Sequence, residues 1–513
     1  MQRSAIGKAL NARRLARSLP LFGAAALFAP LAQAQEAASH GTTVTPSFSA
    51  QETLTNNVNL SATDPRWDAI TQVSPGISLS SRSGRVRGSL AYTANALAYA
   101  RDSSRNTIQN ALTATGNAEV IENHAFVDAN ANISQQAISA FGPQSTGTGL
   151  LNGNSTEVYT ASVSPSLRGH LGSAVDAQAR VTWSATHAAS AGTGNSTGMS
   201  AMAGLSGGRS RVGWSLTATR QVSGFTGGRK TTDDNVVAGL SLQVDPSLQL
   251  SARGGHETND IVTYSRQGYR TYGWGANWRP GPRTTLALQS DHQYFGNSHS
   301  LSFQHRMKRS IWTYSDSRGV SGNPAQAAVS LPVSLYELLF AEFASIQPDP
   351  VLRDQLVRAY LQANGLDPNP PPQGGFLNSA LAVQRSQNLS VALTGLRDTV
   401  TLSAFRTQTS QLAGVTYTTG DLAQGEPVRQ LGYSIGLAHR LTPDSSLNLS
   451  ASKLKTLSAG ALPGSDQRTA LLTWAGTLSR RTTGTLSLRR TLFGSATNPY
   501  NESALIGTIS LRF

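Results

Sequence analysis

No cysteine occurs in the 513 residues, which excludes disulfides, thiolate metal sites and a cysteine nucleophile, and suits a chain that crosses an oxidising compartment. Charged residues make up only 14% of the chain, against roughly 25% in ordinary globular domains. Long aliphatic runs are missing as well, so membrane-spanning helices are excluded. The catalytic and nucleotide-binding signatures that fix residue types at set spacings are also absent: there is no phosphate-cradling loop, metalloprotease helix or calcium loop. What fills the chain is Gly, Ser, Thr, Ala and Asn, a mixture foreign to soluble enzymes of this length.

The first 34 residues stand apart. Arg3, Lys8, Arg13, Arg14 and Arg17 make a basic start, Leu19 to Leu31 an apolar run too short to span a bilayer, and Ala32-Gln33-Ala34 a cleavage site of small residues. Residues 1–34 therefore read as a cleaved signal peptide, leaving 35–513 as the mature chain. Its Lys and Arg, 37 against 28 acids, are scattered singly and are not interleaved with aromatics, so no nucleic-acid surface is expected.

Alternation at every second residue dominates the mature chain. At the C-terminus Leu505, Gly507, Ile509, Leu511 and Phe513 share one face, and the residues between them are more polar. Val86, Gly88, Leu90, Tyr92, Ala94 and Ala96 do the same, as do Val175 to Trp183, Val212 to Ala218, Tyr272 to Trp278, Leu431 to Leu437 and Ala470 to Leu478. Strands that show apolar residues to lipid on one side and polar residues to water on the other are stable only in a closed sheet, because hydrocarbon leaves no backbone group a solvent partner. The fold class predicted is an all-β transmembrane antiparallel barrel of about 22 strands, within a range of roughly 18 to 24. It is placed in the outer membrane of a Gram-negative bacterium, in contact with its lipid. Phe513, with Leu511 and Ile509, resembles the terminal-strand signal read by the barrel-assembly machinery.

Turn lengths agree. Short turn-forming stretches such as Ser83-Gly84, Asp245-Pro246 and Thr442-Pro443-Asp444 alternate with long polar ones such as Asn56 to Asp68, Ser139 to Ser155 and Gln411 to Glu426, as periplasmic turns alternate with outer loops. One insertion, 334–365, changes to a helical period, with Tyr336, Leu339, Phe340 and Phe343 on one stripe and Leu352, Leu356, Ala359 and Tyr360 on another. Asp349-Pro350 reads as a cap with proline at the first helical position, Ser334 with Glu337 as a capping box, and Asn364-Gly365 as a stop. Parity puts this two-helix insertion in a long outer loop, folded into the mouth as a constriction or lying over the loops as a lid or packed hairpin. Tyr336, Phe340, Phe343, Leu356 and Tyr360 are its gating or plug candidates.

Two weaker sites complete the search. Gly204-Leu205-Ser206-Gly207-Gly208 has the bare spacing of a nucleophile elbow without a strand-to-helix context, and His256-Glu257 with Asp260 clusters titratable groups in a polar stretch. Neither argues for an enzyme, and no cofactor or metal is expected. Arg87, Arg180 and Arg489 face the lumen by parity, either favouring anionic solutes or pairing with inward acids.

The stretches Glu52-Thr53-Leu54-Thr55-Asn56-Asn57-Val58-Asn59-Leu60, Val73-Ser74-Pro75-Gly76-Ile77 and Trp278-Arg279-Pro280-Gly281-Pro282-Arg283-Thr284-Thr285-Leu286 resemble the PEP-CTERM system-associated outer-membrane protein family, as does the helical stretch around Leu335-Tyr336-Glu337-Leu338 and Asp349-Pro350. The resemblance implies a setting of exopolysaccharide synthesis and protein sorting, with polysaccharide or polysaccharide-export proteins as partners, and carries no catalytic residues. A porin-like passive or gated conduit for export is expected first, a surface-structural barrel that anchors secreted polymer or PEP-CTERM proteins second, and a barrel enzyme acting on lipid or polymer third.

Overall fold

A sheet whose outer face must meet lipid removes its unpaired edges by closing on itself. The computed structural model describes residues 41–513 except 148–149, 151, 190–193, 210, 227, 322–334, 364–373, 416 and 418. The expected leader lies outside the described residues, as do Ser334, Asn364 and Gly365.

The strands run in chain order as β1 (Thr42–Thr55), β2 (Asp68–Ser83), β3 (Val86–Tyr99), β4 (Thr107–Ile121), β5 (Ala125–Ala137), β6 (Ser155–Leu171), β7 (Val175–Ala188) and β8 (Ser196–Arg209). They continue as β9 (Val212–Phe225), β10 (Thr231–Asp245), β11 (Leu248–Asn259), β12 (Gln267–Gly281), β13 (Thr284–Gln293), β14 (Gly296–Arg306) and β15 (Ser310–Ser321). Helices α1 (Leu335–Glu342) and α2 (Pro350–Ala363) interrupt them, before β16 (Ala382–Thr394), β17 (Asp398–Gln411), β18 (Val428–Thr442), β19 (Ser445–Thr456), β20 (Ser465–Ser479), β21 (Thr482–Ser495) and β22 (Tyr500–Arg512). Every strand pairs antiparallel with its neighbours in the chain, and β1 pairs with both β2 and β22, so the 22 strands form one closed ring.

Strand ends on the side of both termini are joined by tight turns, such as residues 84–85 between β2 and β3 and the turn at Gly172, whose φ of 66° suits glycine. The opposite ends carry the long connections 56–67, 138–154, 322–381 and 412–427. The first side is periplasmic and the second outer. Residues 301–316, where alternation is weak, resolve into β14 and β15 around a periplasmic turn at 307–309, and residues 199–206 belong to β8. Their pattern is faint because Ala201, Ala203 and Ser302 give little polarity contrast between the faces.

Alternation then sorts the two faces. Leu240, Leu242, Leu402, Leu472, Leu486 and Ile509 are among the large apolar side chains left exposed on the outside, which is sensible only against hydrocarbon. Trp214, Trp278, Trp312 and Trp474 all face outward within a few residues of a periplasmic strand end, where amphipathic rings meet lipid headgroups. The inner face is lined by hydroxyls and amides: Thr160, Ser162, Ser164 and Ser166 on β6, or Ser446, Asn448, Ser450 and Ser452 on β19. Neighbouring strands link them, as in Ser164 to Thr182 at 2.9 Å and Thr473 to Ser487 at 2.9 Å.

Candidate functional site: an occluded lumen

A ring of 22 strands encloses a space that side chains alone do not fill. Segments from the outer side of this chain enter it. Residues 138–147, which follow β5, cross to the wall formed by β19–β21. There the amides of Gln144 and Gln467 bond reciprocally, the Gln144 N–H donating to Oε1 at 2.9 Å and Nε2 donating to the Gln144 carbonyl at 3.1 Å. Thr456 on β19 donates to the Ala140 carbonyl at 2.7 Å. From the loop after β17, Asp421 accepts from the Ser139 hydroxyl at 2.7 Å and the Ala140 N–H at 2.6 Å. Asp421 is buried, and burial pushes its carboxyl above the ordinary range, against the opposing pull of these two bonds.

A second segment, 374–381, crosses from the start of β16 almost half-way around the ring. Leu377 packs on Val158 of β6 and Ala188 of β7, and its N–H donates to the Ala137 carbonyl at 3.1 Å. Phe376 joins Ala140, Leu422, Val428 and Ala382 in one apolar cluster, which ties the two crossings together. The Gly375 N–H donates to Gln430 Oε1 at 2.9 Å. Phe405 underlies this segment from the lumen face of β17, and its ring occupies the space beside Gly432, where a Cβ would collide with it. A third cluster seals β2, β3, β21 and β22: Val58, Leu60 and Leu150 from two outer loops pack on the inward-facing Ile70, Leu97, Tyr99, Phe493 and Tyr500.

The helical insertion is placed differently from expectation. It follows the outer end of β15, yet it docks at the opposite, periplasmic end of the lumen wall. Leu338 of α1 packs on Ile311 and Ala392, the Ala341 carbonyl accepts from Arg306 at 3.0 Å, and Tyr360 of α2 shares a 2.6 Å bond with Thr399. All four wall residues lie within four positions of a periplasmic strand end. The mouth location and the lid are therefore corrected. Parity fixes which end of the barrel the chain leaves from, not how far down the lumen it travels.

The hairpin has a core of its own, Leu339, Phe343, Val357 and Leu361. Phe343 meets the Tyr360 ring edge-on at 5.3 Å, and Tyr336 stacks on Phe340 at 5.7 Å while donating to Asp354 at 2.5 Å. Burial, reinforced by the bond to Asp354, holds the Tyr336 hydroxyl up at about 12. Leu356 remains exposed. Asp349 caps α2 by accepting from the Leu352 N–H at 3.1 Å, with Pro350 as the first helical residue. Glu342 is buried at the wall, where it accepts from the Thr394 hydroxyl; burial raises its pKa.

The three arginines singled out in the sequence lie on the lumen face. Arg180 reaches Asp128 at 3.0 Å. Arg489 is buried with Glu502, 3.0 Å away, and its other side donates to the Thr146 carbonyl at 3.4 Å, so it also holds the first crossing. Arg87 sits near the periplasmic end of β3, exposed. With two of the three paired, they do not line a cationic pore. Ile509, Leu511 and Phe513 face outward where β22 meets β1, and the Phe513 N–H donates to the Pro46 carbonyl at 3.1 Å.

Sequence reasoning missed Asp421, Gln467, Gln144 and Leu377. The only sign of inward packing was two apolar residues in succession at outer strand ends, as at Ala98-Tyr99 and Leu492-Phe493, where alternation alone demands a polar one. The two weaker sites dissolve. Ser206 lies within β8, and His256 and Glu257 point to opposite faces of β11. No group of three or more metal-ligating side chains occurs among the described residues.

No protein-family model and no curated protein matches the sequence. Among solved structures, a mutant of the ferric enterobactin receptor PfeA from Pseudomonas aeruginosa is similar at 11% identity, covering 92% of this chain and 81% of that one, with a TM-score of 0.46. The siderophore receptor PirA from Acinetobacter baumannii gives 8% identity, 93% and 81% coverage and a TM-score of 0.48. OccK3 (OpdO) from Pseudomonas aeruginosa gives 12% identity, 92% and 96% coverage and a TM-score of 0.31. Closure without an edge, an external apolar belt and a periplasmic tryptophan girdle make this chain a Gram-negative outer-membrane β-barrel.

Proposed function

We propose that the protein is a gated conduit through the outer membrane, held shut by its own outer loops and helical insertion. The observation that carries this reading is how the crossings are fastened. Residues 138–147 are anchored by a few discrete polar contacts, to Gln467 on the far wall and to Asp421 of the loop after β17, together with the small apolar cluster around Phe376. Such contacts can exchange for water when the loop withdraws, whereas the wall keeps its own backbone ladder. The resemblance to proteins linked to exopolysaccharide supports a sugar polymer as cargo, and a wall of hydroxyls and amides suits it, since these groups bond neutral sugar hydroxyls without trapping them electrostatically. No chemical step is assigned to the lumen.

The apolar seal of Val58, Leu60 and Leu150 favours the second reading, a permanently closed barrel that anchors polymer at the surface. Conductance of the refolded full-length protein in planar bilayers separates the two. A conduit opens rarely as wild type and conducts steadily once residues 335–363 are deleted together with Asp421→Ala and Gln467→Ala. If that combined variant folds and stays silent, the conduit reading is wrong.

A further inference from the structure

The lipid-facing side of the barrel is not uniform at its outer rim. On β17–β21, Arg406, Arg429, Lys453, Lys455, Arg468 and Arg490 all fall on the outward parity, within five residues of an outer strand end. One acid shares their face, Asp466, which lies 3.2 Å from Lys453 and 2.8 Å from Arg468. No carboxylate among the described residues pairs with Arg406, Arg429, Lys455 or Arg490. At the same level β1–β8 present Glu52 and Glu157 outward and no Lys or Arg, while the eight strands β9–β16 present four arginines, Arg220, Arg270, Arg318 and Arg385, of which Arg220 lies 3.7 Å from Asp234 and Arg385 2.7 Å from Asp316. At this level the cations are therefore absent from β1–β8 and densest on β17–β21, where six fall on five strands.

Directly beneath them the surface is notched. Ala470 and Ser503 flank Arg490 on the neighbouring strands, and their small side chains leave a groove of about 440 Å³, lined also by Leu449, Leu472, Leu488 and Leu505. Cations above an apolar groove match a ligand that is anionic at one end and acylated at the other. Arginine and lysine both bind phosphate, arginine through its planar fork and lysine as a point charge. The patch spans five strands, about 20 Å at the usual strand spacing, which fits a headgroup with more than one phosphate better than a single phosphodiester. Because it lies at the outer end, the lipid comes from the outer leaflet.

We propose that the outer ends of β17–β21 bind a phosphorylated glycolipid of the lipid A class, phosphates on the cation row and one acyl chain in the groove. This assignment depends on the orientation of the barrel and not on whether the lumen conducts.

Native mass spectrometry of the full-length refolded protein tests it, using micelles that carry bis-phosphorylated lipid A, the same lipid after enzymatic dephosphorylation, or phosphatidylglycerol. The wild type is expected to retain lipid A at least tenfold better than either comparison lipid. Lys455→Gln/Arg468→Gln/Arg490→Gln, checked for folding by its heat-modifiable gel mobility, is expected to lose that preference. Equal retention of the dephosphorylated lipid removes the phosphate site, and equal retention of phosphatidylglycerol removes the glycolipid. Undiminished lipid A retention by the triple variant removes the residues named. If the variant does not fold, the wild-type comparison of the three lipids still decides.

Discussion

Removing the two anchors of the first crossing is the perturbation with the clearest predicted size. Asp421→Ala deletes two hydrogen bonds accepted by a buried carboxyl, from Ser139 at 2.7 Å and Ala140 at 2.6 Å. Because burial favours the neutral carboxyl, each counts as a neutral bond of roughly 1 kcal/mol, about 2 kcal/mol together. Gln467→Ala deletes the reciprocal pair with Gln144, two neutral bonds of about 1 kcal/mol each. Both act on one loop, so the double variant is expected to lose about 3 kcal/mol, less than the sum. At 1.4 kcal/mol for each factor of ten, the ratio of open to closed rises about 140-fold, so a pore open roughly 0.1% of the time becomes open roughly 12% of the time. Single-channel recording of the parent, both single variants and the double variant, each with residues 335–363 deleted so that the insertion does not block the lumen, measures this directly, with heat-modifiable mobility showing that the wall is intact. An open fraction in the folded double variant within threefold of that parent would refute the claim that these contacts hold the lumen shut.

The helical insertion should respond to pH. Burial raises Glu342 above its ordinary 4.5, so its contribution to docking is full below that value and is lost as pH rises through the docked-state pKa. Asp421, raised above 3.8, has the same sign at the other end of the lumen. Open fraction should therefore rise with pH from the ordinary carboxylate range towards neutrality, and Glu342→Gln should flatten the slope; a fall in open fraction over that interval contradicts the assignment. Leu339→Ala, in the core between the helices, should cost the hairpin roughly 2–5 kcal/mol, seen as faster proteolysis within 335–363 while the barrel keeps its gel mobility. Arg489→Ala strands the fully buried Glu502, a loss of about 3–5 kcal/mol to be read from urea unfolding; a change below 1 kcal/mol would show that the pair is not desolvated as described. Deleting Phe513, which is exposed and makes one backbone bond to Pro46, should leave the stability of refolded protein nearly unchanged and lower the amount assembled in cells, and equal surface levels would count against a role in assembly.

The sequence by itself determined the wall. Period-two alternation, outward tryptophans and the order of short and long connections specify a closed antiparallel barrel and its strand number, because each rests on local geometry that a two-residue repeat records. The helices of the insertion were equally legible, since Asp349-Pro350 and the apolar stripes through Tyr336 and Tyr360 are local signals. What the chain does inside the ring was not. Asp421 and Ser139 meet across 282 positions, and Gln144 and Gln467 across 323, and nothing in a run of polar loop residues marks which distant amide will receive them. Only the closed wall decides that, by bringing the outer loops to the margin of one enclosed lumen where buried polar groups must find each other. The depth of the helical hairpin was decided in the same way, by where Leu338 could cover Ile311 and Ala392.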